Sequence, residues 1–114
     1  MTTLSVLYDG QGVCGLRASG HAGYAQSGSD IVCAAVSTLV TTCANALENV
    51  AKVLPVVTQN EKAAEIAVSL PAELAPTQRH DAQIILQTTL QGFMDIAAQY
   101  PKYLHIIDGR NQSC

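Results

Sequence analysis

Residues 20–37 read GHAGYAQSGSDIVCAAVS, and within this stretch a glycine-rich loop gives way to the first helix of the chain. Three glycines, Gly20, Gly23 and Gly28, supply backbone freedom that residues with a Cβ lack. Asp30 is a good helix N-cap, because its carboxylate can accept hydrogen bonds from amides of the first turn. The sequence therefore predicts a flexible loop that ends at Asp30, with a helix beginning at the next residue.

The same stretch brings one histidine, His21, close in sequence to one cysteine, Cys33. A thiol in the first turn of a helix feels the positive end of the helix dipole, which favours the nucleophilic thiolate. A cysteine nucleophile and a histidine base are the minimum for cysteine-dependent catalysis. The other two histidines, His80 and His105, have no glycine flanks and no neighbouring nucleophile. From these residues alone, Cys33 can be either a nucleophile or a small buried side chain.

Several neighbours have two interpretations each. Asp30 either orients His21 as a third catalytic residue or only caps the helix, and the cap is favoured. Ser37, one turn after Cys33, hydrogen-bonds either the thiolate or the carbonyl four residues back. Tyr24 either shapes a substrate groove or anchors the loop. The amides at the start of the helix, including that of Cys33, are candidate donors to an oxyanion.

Hydropathy patterns extend the prediction to the rest of the chain. They predict strands at 3–8 and 13–19, a helix at 31–52, strands at 53–58 and 65–70, a helix at 77–99 and a strand at 103–107. The order ββαββαβ implies an α/β (α+β) two-layer sandwich, with both helices on one face of a mixed sheet. It does not determine the order of the strands.

Each predicted helix has one apolar face, which we expect to pack against the sheet. In the first helix this face holds Val32, Val36, Leu39, Val40, Cys43, Leu47 and Val50. In the second helix it holds Ala82, Ile85, Leu86, Leu90, Phe93, Met94 and Ala97.

Composition limits the classes of function. With 114 residues, 48% of them hydrophobic, the chain is predicted to be a single domain spanning 1–114. The net charge of −3 predicts no general attraction to nucleic acid. The sequence contains no uninterrupted apolar run of about 20 residues, so no membrane span is predicted. The N-terminus lacks the pattern of a signal peptide. We therefore expect a cytoplasmic protein. The low surface charge is compatible with a homodimer.

The four cysteines show no metal-binding or CxxC pattern. In a reducing cytosol all four are expected to be free thiols. Cys14 and Cys43 fit core positions, and Cys114 lies in a predicted loose polar tail over 109–114. A zinc site at His21 and Cys33 would lack two ligands, and no lysine follows the glycines as in a phosphate loop. No metal or cofactor is expected.

The string GHAGYA, two spacer residues and GSDIVCAAVS together resemble the signature of the ribosomal-processing cysteine protease family, Prp. The resemblance implies a compact α/β fold, with His21 and Cys33 as the catalytic pair and a substrate-binding loop that includes Gly20, Gly23, Tyr24 and Gly28. It also implies an endopeptidase that removes the N-terminal extension of the twenty-seventh protein of the large ribosomal subunit. The substrate would then carry a hydrophobic, Phe-containing segment before the scissile bond.

Two other functions remain open at the level of sequence. The chain can be a non-catalytic assembly factor that binds ribosomal protein through the same groove, with Cys33 and His21 incidental. It can also be a hydrolase of small amides or esters that uses the same pair. Selective labelling of Cys33 near neutral pH distinguishes an enzyme from the binding module.

Overall fold

The computed structural model describes residues 1–20, 27–108 and 112–114, and for residues 27–30 it describes the backbone only. Its elements are β1 (Thr2–Asp9), β2 (Gly12–Ser19), α1 (Ser27–Asn49), β3 (Val56–Asn60), β4 (Glu65–Ser69), α2 (Pro76–Gln99) and β5 (Leu104–Ile107). The predicted order ββαββαβ is therefore confirmed.

The strands form one five-stranded sheet in the order β3-β4-β2-β1-β5. The pairs β1–β2, β2–β4 and β3–β4 are antiparallel, whereas β1–β5 is parallel, so the sheet is mixed as predicted. Both helices pack on one face and against each other. Cross-strand partners share a face of the sheet, and the pairing of Leu16 with Val6 and Val68 brings three fully buried side chains under the helices.

The core confirms most of the predicted helix faces. Buried helical side chains come from Val32, Val36, Val40, Cys43, Leu47, Ala82, Leu86 and Phe93. Two members of the predicted faces are exposed instead. Val50 is 71% exposed because α1 ends at Asn49, and Met94 is 50% exposed because it lies about 100° round the helix from the buried Phe93.

Some predicted boundaries are wrong by a few residues. α1 begins at Ser27, four residues before the predicted start, so the predicted loop is shorter. β3 begins at Val56 rather than at residue 53. The backbone before β3 is still tied to α1, since the amide of Val53 donates to the carbonyl of Leu47 at 2.8 Å and the Val53 side chain is buried.

α1 also has the length and apolar composition of a membrane-spanning helix over Ile31–Asn49. Core helices of globular proteins meet the same criteria. One side of this helix packs onto the sheet, and its other side carries exposed polar residues such as Thr38, Thr41 and Thr42. Val32, Val36, Val40, Cys43 and Leu47 of this span are buried in the core, so core packing accounts for part of the apolar composition.

The two ends of the sheet differ in how they are finished. We name them the groove end, where β1 begins and β2 ends, and the closed end, where β1 ends and β2 begins. At the closed end the chain terminus returns to the sheet. The amide of Tyr8 donates to the carbonyl of Gln112 at 2.9 Å, Ser113 bridges to Tyr8, and the Tyr8 hydroxyl hydrogen-bonds the carboxylate of Asp108.

A disulfide between Cys14 and Cys114 completes the closed end. The predictions of four free thiols and of a loose tail are therefore wrong for Cys14, Cys114 and residues 112–114; residues 109–111 lie outside the described part of the chain. The reason is topological. Because β5 runs parallel to β1, the chain after β5 is carried toward the closed end, where the Cα atoms of the two cysteines lie 6.2 Å apart.

Gln83 of α2 also fastens the closed end. Its side-chain oxygen accepts from the amide of Val13 at 3.1 Å, and its side-chain nitrogen donates to the Val13 carbonyl at 2.5 Å. Gly12 has a φ of 132°, in the region that favours glycine, and a Cβ there would lie 2.6 Å from the Gln83 oxygen. Arg79 adds an ion pair with Asp9 at 3.7 Å.

Candidate active site

An open groove of about 290 Å³ lies at the groove end, between the N-terminal part of α1 and the ends of the strands. Its volume is at the lower end of the range of ligand pockets, and it is open to solvent. The lining residues are Thr2, Ala18, Gly20, Cys33, Val36, Ser37, Gln59, Asn60, Glu61, Ala64, Glu65 and Ile66.

Cys33 and Ser37 enter the groove from α1. They lie one helical turn apart, so both side chains project from the same side of the helix. Cys33 is partly buried and carries a free thiol. The structure therefore brings two of the predicted site residues to one surface, with a thiol that a groove-bound molecule can reach.

The floor of the groove is small and apolar. Ala18 on β2 pairs with Ile66 on β4, and Val36 of α1 lies above them. Ala18 and Val36 are buried, whereas Ile66 is only partly buried. This floor favours contact with an apolar side chain of a ligand.

The β3–β4 turn forms the rim of the groove. The side chain of Asn60 accepts from the amide of Ala63 at 3.2 Å, and Ala64 closes the turn with a φ of 48°. Glu61 and Glu65 belong to the lining, and no described lysine or arginine does. The rim therefore places Glu61 next to the apolar floor, and Lys62 follows it in the turn.

Gly20 closes the end of β2 beside the groove. Its φ of 89° lies in the region that favours glycine, and a Cβ there would lie 2.7 Å from the carbonyl oxygen of Met1. Its amide donates to the carbonyl of Ala64 at 3.0 Å. Gly20, one of the predicted loop glycines, thus lines the groove and makes a close backbone approach there.

The remaining predicted residues have different outcomes. His21, Gly23 and Tyr24 lie outside the described residues. Gly28 and Asp30 lie within α1, so the predicted N-cap position of Asp30 is wrong because the helix begins earlier, at Ser27.

The same shift removes Cys33 from the first turn. Only the first four amides of a helix lack a partner within it, and Cys33 is the seventh residue of α1. Its own amide is therefore used inside the helix. The expectation that this amide donates to an oxyanion is wrong.

The other ionisable candidates lie elsewhere. His80, near the start of α2, is exposed beside Asp81, and His105 is exposed on β5. Cys43 is buried in the core, and burial raises the pKa of its thiol, partly offset by a hydrogen bond with Thr89. Across the described residues, no group of three or more His, Cys, Asp or Glu side chains is placed to hold a metal ion.

Sequence reasoning missed every groove residue contributed by the sheet except Gly20. Thr2, Ala18 and Ile66 meet at the groove only because β2 lies between β1 and β4. The turn residues Asn60 and Glu61 arrive through the β3–β4 pairing. No local motif marks these positions, and only the order of strands in the sheet identifies them.

The chain is thus a small two-layer α/β protein with a groove that contains an accessible thiol. Comparison with known proteins places it more narrowly. The family model described as "Cysteine protease Prp" matches residues 1–105. The chain is 27% identical over 96 residues to the ribosomal processing cysteine protease Prp of Bacillus subtilis (strain 168), covering 84% of this chain and 86% of the relative.

Solved structures share the fold. The structure of Prp from S. aureus, in complex with a substrate peptide, has a TM-score of 0.81 at 24% identity, covering 96% of this chain and all of the other. SMU.848 from Streptococcus mutans also has a TM-score of 0.81, at 26% identity, covering 96% of each chain. The chain belongs to the Prp family of cysteine proteases, as its sequence signature predicts.

Proposed function

We propose that this chain is the endopeptidase that removes the N-terminal extension of the twenty-seventh protein of the large ribosomal subunit. In this proposal Cys33 is the nucleophile and His21 is the general base and acid. The observation that carries it is the free, partly buried thiol of Cys33 in an open groove. The chain also belongs to a family of cysteine proteases. The ribosomal processing named for the Bacillus subtilis relative supports the choice of substrate class.

The proposed chemistry has two halves. His21 removes the proton from the Cys33 thiol, the Sγ attacks the scissile carbonyl carbon, and the C–N bond breaks as His21 returns the proton to the leaving amine. A water molecule, deprotonated by the same histidine, then attacks the thioester. This second step releases the carboxylate of the extension and restores the thiol.

The groove supports a peptide of this kind. Its apolar floor at Ala18, Val36 and Ile66 suits the side chains of a hydrophobic segment before the cleaved bond. Glu61 at its rim offers a carboxylate to a basic residue of a ribosomal protein. An open groove also admits a chain that continues in both directions, which a substrate cleaved within its sequence requires.

The test is incubation with a peptide that spans the extension and the first residues of the mature ribosomal protein, followed by mass spectrometry. Wild type should yield two fragments with one new N-terminus. The Cys33→Ala protein, shown folded by circular dichroism, is the matched control and should yield none. A folded wild-type protein that leaves the peptide intact under reducing conditions contradicts the proposal.

Membership in a family of cysteine proteases favours catalysis over the binding-module alternative. Thiol alkylation near neutral pH provides an independent check. Cys33 should react selectively, while buried Cys43 stays protected. Equal and slow reaction of both thiols in the folded protein would favour a non-catalytic assembly factor.

We further propose a homodimer. An apolar surface lies at the sheet edge and the segment before it, where Val50, Leu54, Val56 and Val57 are 48–71% exposed. A second copy packed on this surface would remove those side chains from water. Light scattering should give twice the monomer mass for wild type and the monomer mass for Leu54→Lys; a wild-type monomer at micromolar concentration would contradict the dimer.

A further inference from the structure

Thr2, the first residue of β1, carries a hydroxyl that the fold does not use. The residue is 4% exposed, and among the described residues its Oγ1 is the buried side-chain polar atom without a hydrogen-bond partner. Buried hydroxyls are nearly always paired, because leaving one unpaired carries a desolvation penalty. An idle hydroxyl therefore calls for an explanation.

Packing alone gives no reason for threonine at this position. Along β1, Thr2 shares a face with the fully buried Leu4 and Val6. Its main chain is already fixed, since its amide donates to the carbonyl of Tyr103 at 2.9 Å and it pairs with Leu104 of β5. Valine has the same shape and would fill the site without an unpaired oxygen.

The position of Thr2 suggests what the hydroxyl is for. Thr2 lines the groove together with Cys33 and Gly20. Threonine side chains occupy staggered rotamers, and a rotation of about 120° about Cα–Cβ carries Oγ1 to the place that Cγ2 held while Cγ2 takes the place of Hβ. The hydroxyl can thus turn to a molecule in the groove without any movement of the strand.

We propose that Thr2 is a substrate-binding residue whose hydroxyl hydrogen-bonds the main chain of the peptide in the groove. A peptide main chain offers an amide donor or a carbonyl acceptor at each residue, and a hydroxyl can pair with either. The bond holds the backbone in register with the Cys33 thiol while the apolar floor contacts a side chain. This inference rests on the proposed function, because it assumes that a peptide occupies the groove.

Two substitutions separate the hydroxyl from the shape of the side chain. Thr2→Val keeps the shape and removes the oxygen, whereas Thr2→Ser keeps the oxygen and removes a methyl group. Thr3→Val is the matched control, because Thr3 is the next residue on the strand, is absent from the groove lining and points to the other face of the sheet. Each is made in the wild-type protein and in the Cys33→Ala protein.

The affinity for the ribosomal-protein peptide is measured by fluorescence anisotropy in the Cys33→Ala proteins, where nothing is cleaved. We expect Thr2→Val to raise Kd about 3- to 10-fold, while Thr2→Ser and Thr3→Val stay within about twofold. The stability of Thr2→Val against urea should be equal to or above that of its parent, because the unpaired oxygen is gone. In the wild-type background kcat/KM should fall by a similar factor.

An unchanged Kd for Thr2→Val overturns the inference. So does a loss of urea stability without a loss of affinity, which would show that the hydroxyl serves the fold through a buried water. Failure of the proposed function gives a different result, because the peptide then binds but the wild-type protein does not cleave it. In that case the ratio of the Kd of Thr2→Val to that of Thr2→Ser still shows whether the Thr2 hydroxyl contacts the peptide.

Discussion

The two ends of the sheet differ in how fully their polar and thiol groups are bonded. At the closed end the chain terminus is held by the Cys14–Cys114 disulfide, and Gln83 makes two hydrogen bonds to the backbone of Val13. At the groove end the Thr2 hydroxyl has no partner and the thiol of Cys33 is free. Because stability need not be uniform across a domain, strong ties at one end allow unsatisfied groups at the other, where chemistry needs them.

The free cysteines of α1 repeat this contrast within one helix. Cys43 is buried against the sheet, where burial raises the pKa of its thiol and keeps it neutral. Cys33 lies nearer the groove end and is partly exposed. Two residues of one type on one helix thus have different chemistry, and their environment determines which of them can act as a nucleophile.

The strongest test of the contrast removes each of these thiols in turn. Cys33→Ala should reduce peptide cleavage by about 10⁴-fold or more, because no other group replaces the nucleophile. Cys43→Ala should keep kcat/KM within a few-fold, although loss of a buried sulfur lowers its stability toward urea. Cleavage kinetics and urea unfolding of both proteins check this; turnover by folded Cys33→Ala would disprove the assignment.

Removing the proposed base should have the next largest effect. His21→Ala is expected to lower kcat by about 10²–10⁴-fold, because the thiol then lacks its proton-transfer partner. His80→Ala and His105→Ala are the matched controls, since both side chains are exposed and neither lines the groove. If His21→Ala cleaves within a few-fold of wild type while one of the controls fails, the base has been assigned to the wrong histidine.

Breaking the closed end should change stability and leave chemistry intact. Cys114→Ser removes a cross-link between residues separated by 100 positions, which should lower the free energy of unfolding by about 2–4 kcal/mol. At temperatures where the variant is folded, kcat/KM should match wild type, because the disulfide lies at the other end of the sheet. Urea unfolding with and without reductant checks this. If reductant does not change the free energy of unfolding of the wild-type protein, the prediction is contradicted.

A smaller loss is expected when the Gln83 contact is removed. Gln83→Ala takes away both hydrogen bonds to Val13 and should lower the unfolding free energy by about 1–3 kcal/mol. Gln87, exposed one turn further along α2, is the control, and Gln87→Ala should change stability by less than about 0.5 kcal/mol. Equal effects of the two substitutions would mean that Gln83 does not fasten the closed end.

Much of the fold was accessible from sequence because it depends on periodicity. The alternation in β1 and the helical spacing of Val32, Val36 and Val40 are local patterns that packing preserved. The prediction that Met94 lies on the buried face is wrong, because an apolar residue beside that face cannot be distinguished by sequence pattern from a residue on it. The sequence does not predict the disulfide, because its cysteines meet only through the parallel pairing of β5 with β1.

The site was predictable in part for a similar reason. Cys33, Ser37 and Gly20 lie in or beside one contiguous signature, and the structure brings them to the same groove. Thr2 and Ile66 belong to other strands, and their meeting depends on a strand order that no local pattern encodes. The sequence predicts the start of α1 four residues too late, because Asp30 is a good N-cap residue whereas the helix begins at Ser27.

The smallest expected effect concerns Asp30, now the fourth residue of α1. A negative charge in the first turn of a helix is favoured by the helix dipole, so we expect Asp30→Asn to cost about 0.3–1 kcal/mol of stability. If the residue serves only the helix, kcat/KM should stay within a few-fold of wild type. If its carboxylate instead orients His21, the imidazole would lose its preferred tautomer and kcat should fall by about 10³-fold or more in a folded protein. We expect the milder result, with the groove end working through the Cys33–His21 pair, and the pH profile of kcat in the Asn variant distinguishes the two roles.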